Sequence, residues 1–188
     1  ESISQSVEAA MAAGKEALVD CEHFFDGYKA NPDYAISCAK AAYEAGARWV
    51  VLCDTNGGTQ PEEIRAIVTT VMEHVPGDHL GIHAHNDTEQ AVANSLAAVE
   101  AGVRQVQGTI NGIGERCGNA NLISIIPTLA LKPRYAEKFE IGIDSEKLKG
   151  ISRLSRAVDE LLNRAPDPQA PYAGSSAFAT KAGIHASA

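Results

Sequence analysis

The feature that most limits the folds open to this chain is a unit repeated along it. In each copy an amphipathic helix ends in Ala-Gly, a short turn follows, and a β-branched run then leads into polar residues. The pairs are Ala13-Gly14, Ala45-Gly46 and Ala101-Gly102, with a further turn at Pro76-Gly77, so the units recur every 25 to 32 residues. That interval is the length of a strand, a helix and two short loops. Four βα units are expected, with strands at residues 17–22, 49–54, 80–85 and 105–109. Most are short apolar runs of the kind buried on both faces of a parallel sheet.

The helices between them carry readable ends. One begins near Pro32 and stops before Gly46. The next starts at Thr59, where Thr59 and Glu62 have capping-box spacing and Pro61 suits the first turn. Asn86 or Asp87 is placed to cap a helix running to about Ala101, and a further helix at 120–131 is interrupted by Pro127.

Strands alternating with helices fit a doubly wound sheet or a (β/α)8 barrel. Every predicted strand here ends in polar residues: Glu22-His23, Asp54-Thr55-Asn56, His83 through Asp87, and Asn111 through Asn119. Barrel enzymes build their sites on all strand C-termini, whereas open sheets concentrate them at one switch point. The expectation is an α/β fold of parallel TIM-barrel type. A full barrel needs about 250 residues, so 188 residues with four units amount to half of one, in a piece of a longer protein.

After Lys132 the rhythm stops. Asp144-Ser145 caps an amphipathic helix running to about Arg164, and Pro166, Pro168 and Pro171 mark a linker. Residues 1–132 are therefore read as the barrel part and 133–188 as a linker with the start of a small helical subdomain.

A net charge of −8 without a basic block argues against a nucleic-acid or membrane-surface binder, and no apolar run is long enough to span a bilayer. The expected setting is cytoplasmic. Cys21, Cys38, Cys53 and Cys117 form no CxxC pair and are expected to be reduced thiols in the core.

His83-Ala84-His85 is the strongest chemical signal. Residues two apart on a strand share a face, so both imidazoles can meet one metal ion while Ala84 packs behind. The stretch Gly112 through Asn119 is a glycine-rich loop leading toward a helix, without the Lys-Ser/Thr of a P-loop or the spacing of a dinucleotide fold.

Together, LCDTNGG (residues 52–58), GIHAHND (81–87) and GTINGIGERCGN (108–119) resemble the barrel of the acetyl-CoA-dependent synthases that make 2-isopropylmalate, homocitrate and citramalate. HFFDGYKANPDYA (23–35) most resembles the citramalate branch. Glu115-Arg116 favours synthase over the related hydroxymethylglutaryl-CoA lyases, which carry a Cys-containing loop there.

The resemblance implies barrel strands 5–8. It also implies a divalent ion (Mg2+, Mn2+ or Zn2+) held by His83, His85 and the amide oxygen of Asn119. The family's remaining ligand, an Asp in an Asp-Arg-Glu motif, has no counterpart in this chain. Thr55 is implied to hold the keto-acid carboxylate, with Asp54 fixing that strand end and Arg116 orienting loop and substrate. Glu22, Glu115 and His185 are implied as catalytic residues, His185 because an imidazole titrates near working pH.

The implied reaction is a Claisen-type condensation of acetyl-CoA with pyruvate to citramalate, by a homodimer. Two alternatives stand beside it: 2-isopropylmalate synthesis from 2-oxoisovalerate, and a non-catalytic half-barrel that acts in assembly.

Overall fold

The computed structural model describes residues 1–180. Four strands, β1 (Leu18–Cys21), β2 (Trp49–Asp54), β3 (Leu80–Ala84) and β4 (Gln105–Gln107), pair in parallel in the order β1-β2-β3-β4. Sequential order without a reversal is that of a barrel wall, so the sheet is half of a (β/α)8 barrel rather than a doubly wound sheet.

Backbone contacts divide the chain into two compact units. The first comprises Glu1–Thr109 with Ile113–Ala120, and the second comprises Ile110–Gly112 with the residues from Asn121 on.

In the first unit, helices α1 (Ser2–Ala12), α2 (Phe24–Ala30), α3 (Pro32–Glu44), α4 (Pro61–Val71) and α5 (Ala91–Ala101) accompany the strands. The core lies between sheet and helices. Val50, Leu52, Leu80 and Ile82 are fully buried there with Ile64, Val68 and Val71 of α4 and Ala98 of α5. Each of the Val, Leu and Ile side chains contributes about 1.5–3 kcal/mol by leaving water, Ala98 less.

All three Ala-Gly signals mark real helix ends. Gly14, Gly46 and Gly102 adopt φ of 70°, 101° and 133°, a region closed to most side chains, and each helix stops there.

The structure shifts several predicted ends. The cap of α4 is Gln60 rather than Thr59, with Glu63 reaching back to the Gln60 N–H at 2.9 Å. Thr59 is buried and its hydroxyl is taken by Asp54, so it is not free to cap. Helix α5 begins at Ala91 because residues 85–90 form the loop after β3, although Asn86 Oδ1 still accepts the Ala91 N–H. Helix α2 was not foreseen: seven residues containing Gly27 are too few to show a period. Of the four cysteines only Cys53 is fully buried, and Cys117 is exposed. All four are free thiols, and burial pushes Cys21 up to about 12.

The second unit holds α6 (Leu122–Leu131), α7 (Pro133–Ala136), α8 (Ser145–Leu148) and α9 (Ile151–Leu161). Pro127 lies inside α6 without ending it. The helix expected from Asp144 to about Arg164 is two helices broken at Lys149-Gly150, with Asp144 capping the first through the Lys147 N–H. Asn111, at φ 59°, anchors to α9 by donating to Ser155 O and Asp159 Oδ1, both at 2.9 Å. Among the described residues no helix is long and apolar enough to cross a membrane.

Candidate metal and keto-acid site

Strand pleating decides which residues face the concave side of the half-barrel. On β3, Leu80, Ile82 and Ala84 are fully buried toward the helices, which leaves Gly81, His83 and the following His85 on the other face. His83 pairs in register with Cys53 of β2 and Gln107 of β4, so the three share one level of that face.

The loop after β4 folds back onto the end of β3. His85 and Asn119 form an antiparallel bridge, flanked by Asn86 N–H donating to Gly118 O at 2.9 Å and Ala120 N–H to Ala84 O at 3.0 Å. This pairing carries the Asn119 side chain to His83, with Nδ2 2.8 Å from Nε2. The imidazoles of His83 and His85 lie nearly parallel, 5.2 Å between centroids and 25° between planes.

The amide end facing His83 is the nitrogen; the resemblance implied that the oxygen of this amide approaches the metal. His83 Nδ1 is committed to Gln107 Oε1 at 2.8 Å, so Nε2 carries the lone pair and takes a donor. A half-turn of the Asn119 amide presents Oδ1 instead. Gly114 borders this amide so closely that a Cβ there would fall on Asn119 Oδ1.

His85 Nδ1 is buried without a hydrogen-bond partner. Burial, the neighbouring His83 and then Arg116 lower its pKa and so favour the neutral ring that a metal requires. An orphaned imidazole nitrogen, a lone pair on His83 and an amide together fit a divalent cation. Among the described residues no group of three or more His, Cys, Asp or Glu is arranged to hold a metal, so the donors that converge here are neutral.

A second cluster sits at the ends of β1 and β2. Thr55 Oγ1 lies 2.7 Å from Glu22 Oε2 and from the His23 N–H, joining Glu22 and Thr55 in one unit. Asp54 takes the opposite face and is 1% exposed. It accepts from the Thr59 hydroxyl at 2.8 Å and from Asn94 Nδ2 at 3.4 Å. Burial raises its pKa against the hydrogen bonds from Thr59. Its carboxylate braces the turn at residues 54–59.

Arg116 ties the strand-end loops together. Nε and Nη2 grip the Asp87 carboxylate at 2.8 and 3.0 Å, and Nη2 also donates to Thr55 O at 2.6 Å. That grip holds Asp87 below the ordinary carboxylate range. Glu115 stays 78% exposed, its carboxylate 3.9 Å from Arg116 Nη1. His185 lies outside the described residues.

Two residues of this face escaped the sequence reading, Gln107 and Asp20, which meet at 2.9 Å between Gln107 Nε2 and Asp20 Oδ1. The alternating Gln105-Val106-Gln107 was the only trace of them. A surface cleft of about 620 Å³ lined by Lys15, Tyr43, Arg48 and His79 lies before the strands begin, away from all the candidate residues.

The profile of the HMGL-like family matches residues 1–154. The (R)-citramalate synthase of Geobacter sulfurreducens is 55% identical over 188 residues, covering 100% of this chain and 34% of that protein. The 2-isopropylmalate synthase of Methylacidiphilum infernorum is 42% identical over 163 residues, covering 85% of this chain and 32% of that one. The chain thus spans about a third of the length of the curated relatives it matches. Among solved structures, the hydroxymethylglutaryl-CoA lyase of Pseudomonas aeruginosa superimposes with a TM-score of 0.70 at 20% identity, over 87% of this chain and 55% of that one.

Proposed function

The chain belongs to the HMGL-like family, and from that premise we propose that the protein carrying it condenses acetyl-CoA with pyruvate, yielding citramalate and CoA. The observation that carries this reading is the 55% identity to an (R)-citramalate synthase along the whole chain. The convergence of His83, His85 and Asn119 supports it.

A divalent ion, Mg2+, Mn2+ or Zn2+, held by His83, His85 and a turned Asn119 amide would polarise the keto carbonyl as a Lewis acid. Around it the chain supplies the remaining functions. Thr55 offers its hydroxyl proton to the keto-acid carboxylate in competition with Glu22. Glu22 and His185 are the candidate bases that take a proton from the acetyl methyl group. The carbanion carbon then bonds to the keto carbon of pyruvate while the C=O π pair moves onto oxygen, which takes up a proton, and water splits the thioester into a carboxylate, CoA and a proton. Arg116 holds the loops in place, and the exposed Glu115 beside it is the further catalytic candidate.

A second reading, 2-isopropylmalate synthesis, has the Methylacidiphilum match in its favour. Release of CoA by the full-length protein, followed with a thiol reagent for pyruvate and 2-oxoisovalerate in turn, separates the two. The expected result is turnover with pyruvate, abolished by chelation and restored by added metal, with His83→Ala unable to bind the ion. Preference for 2-oxoisovalerate moves the assignment to the second reading. Metal affinity unchanged in His83→Ala removes the proposed site. We further place the protein as a homodimer, which light scattering of the same preparation tests.

A further inference from the structure

The hydrogen bonds around His83 have a direction that can be followed donor by donor. Asp20 Oδ1 accepts and cannot donate, so the group of Gln107 facing it at 2.9 Å is the NH2. That fixes the amide and leaves Gln107 Oε1 toward His83 Nδ1 at 2.8 Å. An amide oxygen only accepts, so the proton of the neutral imidazole sits on Nδ1. Nε2 is then left bare, facing Asn119 Nδ2 at 2.8 Å. One carboxylate thus stands two hydrogen bonds away from the imidazole whose tautomer these contacts match.

The residues reach across the concave face to do this. Gln107 is in register with His83 on β4, whereas Asp20 is on β1, at the other edge of the four-stranded sheet. No residue of β2 or β3 offers His83 Nδ1 an acceptor, and the Cys53 thiol in register beside it points its hydrogen bond to Val51 O at 3.8 Å.

We infer that Gln107 is a positioning residue for His83, oriented in turn by Asp20, and that this pair presets the Nε2 lone pair toward the cation site. The inference rests on the metal-site reading above, because a preset lone pair matters only if something is to be bound by it. A ligating histidine whose second nitrogen is anchored binds more tightly because ring and tautomer need no reorganisation, and loss of such an anchor costs about 10- to 100-fold in metal affinity.

The test uses the full-length protein with 15N-labelled histidine, and Mn2+ as the probe. In the metal-free wild type, the 15N shifts of His83, assigned by their loss in His83→Ala, are expected to show protonated Nδ1 and bare Nε2. Gln107→Leu, which keeps the bulk without the acceptor, is expected to populate the Nε2–H form and to weaken Mn2+ binding by about 10- to 100-fold. The swap Asp20→Asn with Gln107→Glu preserves both hydrogen bonds and the charge. It is expected to restore the Nδ1–H tautomer and most of the affinity, which a merely structural role would not do.

Wild-type His83 in the Nε2–H form, unchanged shifts and affinity in Gln107→Leu, or a folded swap variant that remains as weak as Gln107→Leu would each overturn the inference. Mn2+ failing to bind the wild type sinks the metal-site reading instead, and the tautomer measurement still judges the Gln107 relay by itself.

Discussion

The Thr55 hydroxyl donates its single proton to Glu22 at 2.7 Å while accepting the His23 N–H at the same distance. If Thr55 holds the keto-acid carboxylate as proposed, that carboxylate and Glu22 compete for one hydrogen. Thr55→Val removes the donor from both and is expected to lower kcat/KM for the keto acid by about 10- to 100-fold, the equivalent of a lost hydrogen bond to a charged group. Thr55→Ser should stay within a few-fold. Steady-state kinetics with varied pyruvate check both, and a Thr55→Val enzyme of normal KM and kcat would remove Thr55 from the site.

Arg116 and Asp87 make a pH-dependent tie. The guanidinium lowers the Asp87 pKa in the folded state, so the stabilisation is present at neutral pH and is lost as pH falls through that depressed value. Arg116→Lys cannot grip both carboxylate oxygens. It is expected to melt below the wild type at pH 7, with the gap narrowing as pH falls below about 4. Some gap should persist, since Arg116 also donates to Thr55 O at 2.6 Å. Melting curves from pH 3 to 7 provide the check, and a gap that widens in acid would contradict the tie.

The inner strands β2 and β3 were legible because burial on both faces removes alternation: residues 49–53 are a continuous apolar run, and the strand Trp49–Asp54 folds as expected to the residue. Helix ends marked by Ala-Gly were legible for the backbone reason that only glycine enters those φ values readily. The cap of α4 was misplaced because Thr59 and Gln60 both have an acid three residues on. Only the burial of Thr59 beside Asp54 decides between them. Gln107 was illegible for a different reason. Its role depends on a hydrogen bond to a residue 87 positions away, and no local pattern encodes that partner.

Asp54 is a buried carboxylate whose pKa burial raises, held down chiefly by Thr59 through its hydroxyl and N–H. Thr59→Val keeps the volume and deletes the hydroxyl, leaving Asp54 Oδ1 without the partner it has at 2.8 Å. The expected cost at pH 7 is about 1.5–3 kcal/mol. Because the variant raises the folded pKa further, the added penalty is full above the variant's folded pKa and fades as pH falls through the wild type's folded pKa, the unfolded state being common to both. Urea unfolding at pH 7 and pH 4.5 should show the larger loss at pH 7. Equal losses would mean that Asp54 is already protonated in the wild type.

Gly114 and Asn119 give the sharpest steric test of the cation site. Gly114 is absent from the positive-φ glycines, so its backbone tolerates alanine, yet the added methyl group would collide with the Asn119 amide oxygen. Gly114→Ala should therefore displace the Asn119 side chain from His83 with little change in melting temperature, and it should weaken Mn2+ binding by about tenfold or more. Asn119→Asp should act in the opposite direction, because a hard divalent ion prefers an anionic carboxylate to a neutral amide among otherwise neutral donors. Calorimetric titration of both variants reads the two signs directly. Tighter binding in Gly114→Ala, or weaker binding in a folded Asn119→Asp, would place the cation elsewhere.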